Sequence, residues 1–255
     1  MAALLLALAL FVQSDEYQRG VAAFEQGRHE EAVALLTQAV QQAPRDAQAW
    51  KALGVAHAAH GDYREAETPF ARACELNARL ADACYYHGRA LYMLNRFADA
   101  LPPLERALRV DAVRGRAETA IAEALEALGR AAEAEKRFRA AIARRDAAAE
   151  RARTAYARFL IRAGRTEDAL VPLREALTGN PDSAEAHFQM GRALQQLDRV
   201  EEALPHLERA VALEPGRAPA HLLLARVYRR LGRAAEAERA EKAASALQGS
   251  STSIR

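Results

Sequence analysis

The chain has 255 residues, of which 51% are hydrophobic and 27% charged, so it can bury a large core. Its 36 Lys and Arg residues nearly balance 34 Asp and Glu residues, which excludes a strong overall positive electrostatic field that would attract nucleic acid. Alanine recurs every few positions, while Gly and Pro number only 13 and 9, so the composition predicts helix along nearly the whole length.

The first predicted segment, residues 1–14, reads MAALLLALALFVQS. Its apolar run at 2–12 is too short to span a bilayer and fits the apolar region of an export signal, with small residues ahead of a cut at Asp15. No Lys or Arg precedes the run, so a short N-terminal apolar helix is the alternative. We therefore expect an exported or periplasmic protein, otherwise a cytoplasmic one, with no stable membrane span.

When the sequence is written in rows of 34 residues starting at Gln13, three columns contain only small residues. The octapeptide LGRAAEAE, present at 128–135 and again at 231–238, is the same unit in two of these rows. One column holds only Gly or Ala, and the other two hold only Ala. The register holds over seven rows if one residue is inserted near Ala149, and the rows lie at about 13–46, 47–80, 81–114, 115–148, 150–183, 184–217 and 218–248.

Each row has a turn residue between two stretches of helical periodicity. A helix that ends in the left-handed conformation needs Gly or, failing that, Asn or Asp. The turn column contains only these types: Gly27, Gly61, Asn95, Gly129, Gly164, Asp198 and Gly232. Each row is therefore predicted to be a helical hairpin. One hairpin cannot bury both of its faces, so neighbouring rows must stack.

The second row carries Trp50, Leu53, Gly54, Ala66 and Phe70 at offsets that resemble the tetratricopeptide repeat. The resemblance covers nearly the whole chain. It implies an all-α fold, an α-solenoid of seven helix-turn-helix repeats over 15–248 that forms a right-handed superhelix, followed by a frayed tail at 249–255. It also implies that the first helix of each repeat lines a concave groove that binds peptides or protein segments.

Sequence motifs for catalysis or cofactor binding are absent. The chain contains no phosphate-binding glycine loop, no H-E-x-x-H and no C-x-x-C, so we expect no cofactor, no metal site and no catalytic residue. His57 and His60 could share a helix face but have no adjacent third ligand. Cys74 and Cys84 fall on neighbouring segments, and whether they form a disulfide is left open.

Positions 5, 9 and 12 of each row share one helix face, which is the predicted groove face. Aromatic residues cluster there in the third row, and Arg occupies position 9 in four of the last five rows. The arginines either contact acidic groups of a partner or pair with groove glutamates such as Glu123 and Glu185. The candidate ligand-binding residues are Tyr85, Arg89, Tyr92, Met93, Glu123, Arg158, Arg162, Phe188, Arg192, Gln195, Arg226 and Arg229.

These observations predict a non-enzymatic interaction scaffold whose partner is a protein or peptide with acidic groups, and not nucleic acid. Two alternatives from other classes remain open. The chain could be the accessory or substrate-selecting subunit of an enzyme complex, or a structural element that assembles with its own copies.

Overall fold

The computed structural model of the protein describes residues 14–77, 79–80, 82–144 and 146–252, with side chains through Gly249. Residues 1–13 of the predicted export signal lie outside these residues. The chain forms two compact units, the first ending at Ala134 and the second beginning at Glu135. The described residues contain helices and turns without a strand, which confirms the predicted all-α class.

The first unit is built from consecutive helices that pack as hairpins and against the next hairpin along the chain. Its helices are α1 (Asp15–Glu25), α2 (His29–Gln42), α3 (Ala47–His60), α4 (Tyr63–Leu76), α5 (Ala83–Met93), α6 (Phe97–Ala107) and α7 (Asp111–Ala127). Helix α8 (Ala131–Ala143) begins in this unit and ends in the second.

The second unit repeats the same arrangement. After the end of α8 it contains α9 (Ala147–Arg162), α10 (Leu170–Gly179), α11 (Ala184–Gln196), α12 (Val200–Leu213), α13 (Ala218–Arg230) and α14 (Ala234–Thr252). The fourteen helices of the described residues thus follow the order of two per row predicted for an α-solenoid.

The turns between the two helices of each row have the predicted backbone. Every residue of the turn column has a positive φ, from 58° at Asn95 to 91° at Gly61. Asn95 and Asp198 are the non-glycine residues with positive φ in the described chain, and both occupy this column. The left-handed residue therefore ends the first helix and reverses the chain in every row.

The small-residue columns mark the close approach of paired helices. The two alanine columns are buried in every row. A Cβ added to Gly54 would lie 2.6 Å from Phe70 Cδ1, and one added to Gly191 would lie 2.5 Å from Leu207 Cγ. Because these distances are far below van der Waals contact, the helices of a hairpin can approach this closely only with glycine at the crossing.

Two first helices begin earlier than the predicted rows. Helix α7 begins at Asp111 and α9 at Ala147, whereas their rows were placed at 115 and 150. Rows that follow Pro44, Pro181 or Pro215 have a short turn before the first helix, since proline keeps the residue before it out of the helical conformation. No proline precedes α7 or α9 at this place, and Asp146 caps α9 by accepting from Ala148 N.

Two second helices also depart from the prediction. Helix α10 begins only at Leu170, because the residues before it form tighter turns, in which Ala169 N donates to Thr166 O and Leu170 N to Glu167 O. Helix α14 continues through Thr252, past residue 248, where the sequence predicted a frayed tail. Residues 249–252 contain no proline to stop it, and residues 253–255 lie outside the described chain.

Cys74 and Cys84 form a disulfide, with Cα atoms 4.7 Å apart, which answers the question that the sequence left open. Cys74 lies near the end of α4 and Cys84 near the start of α5, so the bond joins the second and third hairpins. Both residues are buried among Ala73, Ala83 and Ala107.

Candidate binding faces on the first helices

The predicted binding residues lie on the first helices of the rows, and we call their common side the first-helix face of each unit. In the first unit, α5 supplies Tyr85, Arg89, Tyr92 and Met93, and α7 supplies Glu123. In the second unit, the candidates lie on α9, α11 and α13: Arg158, Arg162, Phe188, Arg192, Gln195, Arg226 and Arg229.

The first-helix face of the first unit contains an open pocket of about 320 Å³, which we call the aromatic pocket. It includes three of the predicted residues, Tyr85, Arg89 and Met93. The other lining residues come from α3, α4 and α5: Val55, Ala58, Ala59, Tyr63, Phe70, Tyr86 and Ala90. Apolar and aromatic side chains therefore make up nearly all of its wall.

Arg89 is neutralised at the edge of this pocket. Its Nη1 donates to Glu123 Oε2 at 2.7 Å, and its guanidinium lies 5.1 Å from the centre of the Tyr92 ring. The Tyr92 ring in turn packs against Phe97 at 5.2 Å. The interpretation in which groove arginines pair with groove glutamates therefore describes Arg89.

Arg116 belongs to the same face and was missed by the sequence reasoning. Its guanidinium lies 4.4 Å from the ring centre of Tyr85 and 5.9 Å from that of Tyr86. Its Nε and Nη2 atoms are buried and have no hydrogen-bond partner among the described residues. Arg116 precedes position 5 of its row by three residues, so helical spacing alone would have placed it on this face.

Arginines of the second unit differ in their partners. Arg158 Nη1 lies 3.9 Å from Glu185 Oε1, and Glu185 also pairs with Arg217. The Arg217 guanidinium stacks 4.2 Å from the Phe188 ring centre, so it positions that ring. Arg158 therefore also follows the paired interpretation.

Arg192 and Arg226 lie in a second pocket of about 370 Å³ on the first-helix face of the second unit, which we call the arginine pocket. Neither guanidinium has an ion pair or hydrogen bond among the described residues. Helices α11 and α13 supply the rest of the lining: Phe188, Gln195, Gln196, Pro219, Leu222 and Leu223. No carboxylate lines this pocket, so two cations face it without a compensating charge.

The two remaining candidates lie outside the pockets. Arg229 pairs with Glu241 of α14 at 2.5 Å, which explains why this row has a glutamate where other rows have Leu or Phe. Arg162 is exposed at the end of α9 and is absent from the lining of either pocket. Arg229 thus joins the two helices of its own hairpin.

A histidine pair lies between α11 and α12. His187 Nδ1 and His206 Nδ1 are 3.0 Å apart, and His187 Nε2 lies 2.9 Å from the Pro181 carbonyl oxygen. Because His187 Nε2 must carry a proton to donate to that oxygen, its Nδ1 accepts from His206 Nδ1–H in the neutral pair. Burial, and then the neighbouring His187, lower the pKa of His206, while Glu202 opposes the shift.

Metal-binding clusters and membrane-spanning helices are absent from the described residues. They contain no group of three or more His, Cys, Asp or Glu side chains that could hold a metal ion. No helix within them combines the length and hydropathy that a bilayer crossing requires.

Solved structures share the fold of this chain at low sequence identity. A tetratricopeptide repeat protein from Parabacteroides merdae has a TM-score of 0.70 at 13% identity, covering 91% of this chain and 92% of that one. A human IFIT1 dimer with PPP-AAAA has a TM-score of 0.60 at 24% identity, covering 87% and 57% of the two chains.

Sequence comparisons identify the family. The chain is 31% identical over 84 residues to Superkiller complex protein 3 of Mus musculus, which is 33% of this chain and 5% of the length of that relative. Tetratricopeptide repeat models match residues 17–81, 60–117 and 85–148 in the first part of the chain, and 160–204 and 197–249 in the second. These matches extend over well more than half of the sequence, and the chain belongs to the tetratricopeptide repeat family.

Proposed function

We propose that this protein is a non-enzymatic scaffold that binds a segment of a partner protein on the first-helix face of its second unit, with acidic groups of that segment in the arginine pocket. Repeats of this family provide the architecture of an interaction scaffold. The observation that carries the finer proposal is the pair Arg192 and Arg226, which face one pocket without a carboxylate.

The guanidinium group suits this role because its planar donors match a carboxylate in a bidentate geometry. Arg192 is half-buried beside Phe188 and Leu223, so water screens its charge less than that of a fully exposed arginine. Leu222, which is 37% exposed, offers apolar contact next to the two cations. An acidic side chain flanked by an apolar one fits this combination.

Nucleic acid is the less favoured ligand. The human IFIT1 structure is a complex with PPP-AAAA, and phosphates also pair with arginine. However, the formal net charge of this chain is only +2, and its arginines outside the arginine pocket are largely paired with carboxylates. A long polyanion needs an extended run of unpaired cations. The arginine pocket supplies a local site instead.

The test begins with capture of partners from the native host by three tagged chains: wild type, an Arg192→Glu/Arg226→Glu variant, and a control with the same charge change at Arg174 and Arg239, which are exposed on second helices. Cross-linking then defines the bound segment of each captured protein, and its Kd is measured for all three chains. A segment that binds wild type and control equally, and the pocket variant at least ~10-fold more weakly, supports the proposal.

Three other results would contradict the proposal or favour a different function. If all three chains bind every captured segment with equal Kd, the arginine pocket is not the site. A loss that is seen only with RNA, and not with any protein segment, would assign the pocket to nucleic acid. Capture of an enzyme whose substrate choice changes when this chain is removed would favour the accessory-subunit alternative.

We propose further that the protein is exported and acts in an oxidising compartment. The apolar run at 2–12 and the disulfide between Cys74 and Cys84 support this localisation. Mass spectrometry of the protein purified from its host provides the test. A mature chain that begins near Asp15 is expected, and a full-length chain with both thiols free in the cytoplasm would contradict the proposal.

A further inference from the structure

The aromatic pocket differs from the arginine pocket in the kind of side chain that it can hold. Its wall is apolar, and Met93 on its rim is 45% exposed. Large apolar side chains are mostly buried in the rest of the described chain, so an exposed methionine beside Tyr85 and Tyr86 is unusual.

The cation that lines the aromatic pocket already has a partner. Arg89 donates to Glu123 at 2.7 Å, whereas Arg116 lies against the Tyr85 ring and is not among the lining residues. A charged ligand group would have to leave water without gaining a free partner in this pocket, which is costly. An uncharged apolar group makes no hydrogen bonds to water, so it does not carry this desolvation cost when it enters the pocket.

The walls of the pocket are held in place by the core beneath them. Phe70 is 1% exposed, and its ring lies directly over Gly54, where an added Cβ would be 2.6 Å away. The Tyr86 ring stacks on Phe70 with centres 5.4 Å apart. Arg116 covers Tyr85 from the neighbouring helix α7. The pocket is therefore formed before a ligand arrives, which lowers the cost of binding.

From this combination we propose that the aromatic pocket binds one bulky apolar side chain, Leu, Met, Phe or Trp, of a partner protein segment. The inference rests on the proposed scaffold function and names the kind of side chain that the first unit recognises. The volume of about 320 Å³ accommodates one such side chain together with its backbone. Replacing the anchoring residue of the segment by Ala should weaken binding by ~10- to 100-fold, because a full apolar side chain is then no longer buried.

A library of random short peptides displayed on phage is the probe that tests this proposal without knowledge of the natural partner. Selections are run on the full chain and on two variants that place a carboxylate on opposite walls of the pocket, Ala59→Glu on α3 and Met93→Glu on α5. Both positions are exposed, so neither change disturbs the core. Val171→Glu, at a residue that is 56% exposed on α10, is the matched control.

The expected result is a set of peptides that share one bulky apolar position and bind wild type and the Val171→Glu control alike. These peptides should lose at least ~10-fold in affinity on Ala59→Glu and on Met93→Glu. If every selected peptide binds unchanged to both aromatic-pocket variants, while some peptides depend on Arg192 and Arg226, this inference is overturned and the proposed function is left intact. If no selected peptide depends on either pocket, both proposals fail.

Discussion

Glu135 on α8 is the acceptor of three hydrogen bonds, and removing its charge is the most direct test of how the second unit is held together. Its carboxylate accepts from the Tyr156 hydroxyl at 2.7 Å, from Arg139 at 2.7 Å and from Arg165 at 2.8 Å. These donors come from α8, from α9 and from the turn after α9, so one side chain joins three segments.

The loss of stability expected on removing this charge follows from the pKa of the Glu135 carboxyl. The hydrogen bonds from Tyr156 and Arg165 lower the pKa of Glu135 from 4.5 to about 2. At 1.36 kcal/mol per unit this shift corresponds to roughly 3 kcal/mol of stabilisation as an upper bound. The side chain of Arg139 is 66% exposed and that of Arg165 41%, and solvent weakens such pairs. We therefore expect Glu135→Gln to cost about 1–2 kcal/mol at neutral pH.

The direction of this pKa shift determines how the stabilisation by Glu135 depends on pH. Because the pKa is lower in the folded chain, the stabilisation is complete above the unfolded value of 4.5 and is lost as the pH falls towards 2. The free energy of unfolding is measured by urea denaturation with circular dichroism for wild type, Glu135→Gln, and the control Glu133→Gln, whose carboxylate pairs with Arg130 at the surface. The difference between wild type and Glu135→Gln should shrink to near zero at about pH 2. A difference that stays constant over this range, or a control that costs as much, would refute the reasoning.

Three further changes have expected outcomes, each measured as the free energy of unfolding in urea. Gly54→Ala should destabilise the chain by about 1–3 kcal/mol because its Cβ would lie 2.6 Å from the Phe70 ring, and any gain in stability contradicts the close approach. Asn95→Ala should cost about 1 kcal/mol and Asn95→Gly much less, since φ is 58°; equal costs would exclude a left-handed residue. Acidification from about pH 7.5 to 5.5 should destabilise wild type more than a His206→Gln variant, because the folded pKa of His206 is lowered below 6.5 and its neutral form contacts His187; parallel curves would refute this coupling.

The hairpins of this chain could be predicted from the sequence because close packing limits the size of the residues where helices cross. A position such as Gly191, where paired helices cross, has no room for a large side chain, and the corresponding position of every row holds Gly or Ala. The turn residue Asp198 was predicted for the same kind of reason, since few residue types adopt its backbone conformation. Helix starts were harder to place, because they depend on the linker before them.

The partners of the arginines could be predicted only in part. Arg89 and Glu123 occupy the same position in consecutive rows, so the spacing allowed their pairing without requiring it. The same position 9 holds Arg192 and Arg226, which follow each other with no carboxylate between them in the pocket. Arg116 was missed because its contact with Tyr85 uses a ring face, which leaves no charge pattern in the sequence. Side-chain pairing depends on geometry that the row spacing alone does not define.

The disulfide between Cys74 and Cys84 has a consequence for how the first unit opens. In stacked hairpins, each of which contacts only its neighbours, opening starts at the ends and proceeds inwards one hairpin at a time. The covalent link merges the hairpin of α3 and α4 with that of α5 and α6 into a single opening unit. Amide protons of these four helices should exchange together and later than those of α1 and α2. Since α3 and α5 carry opposite walls of the aromatic pocket, the pocket persists through the fraying of the hairpin before it.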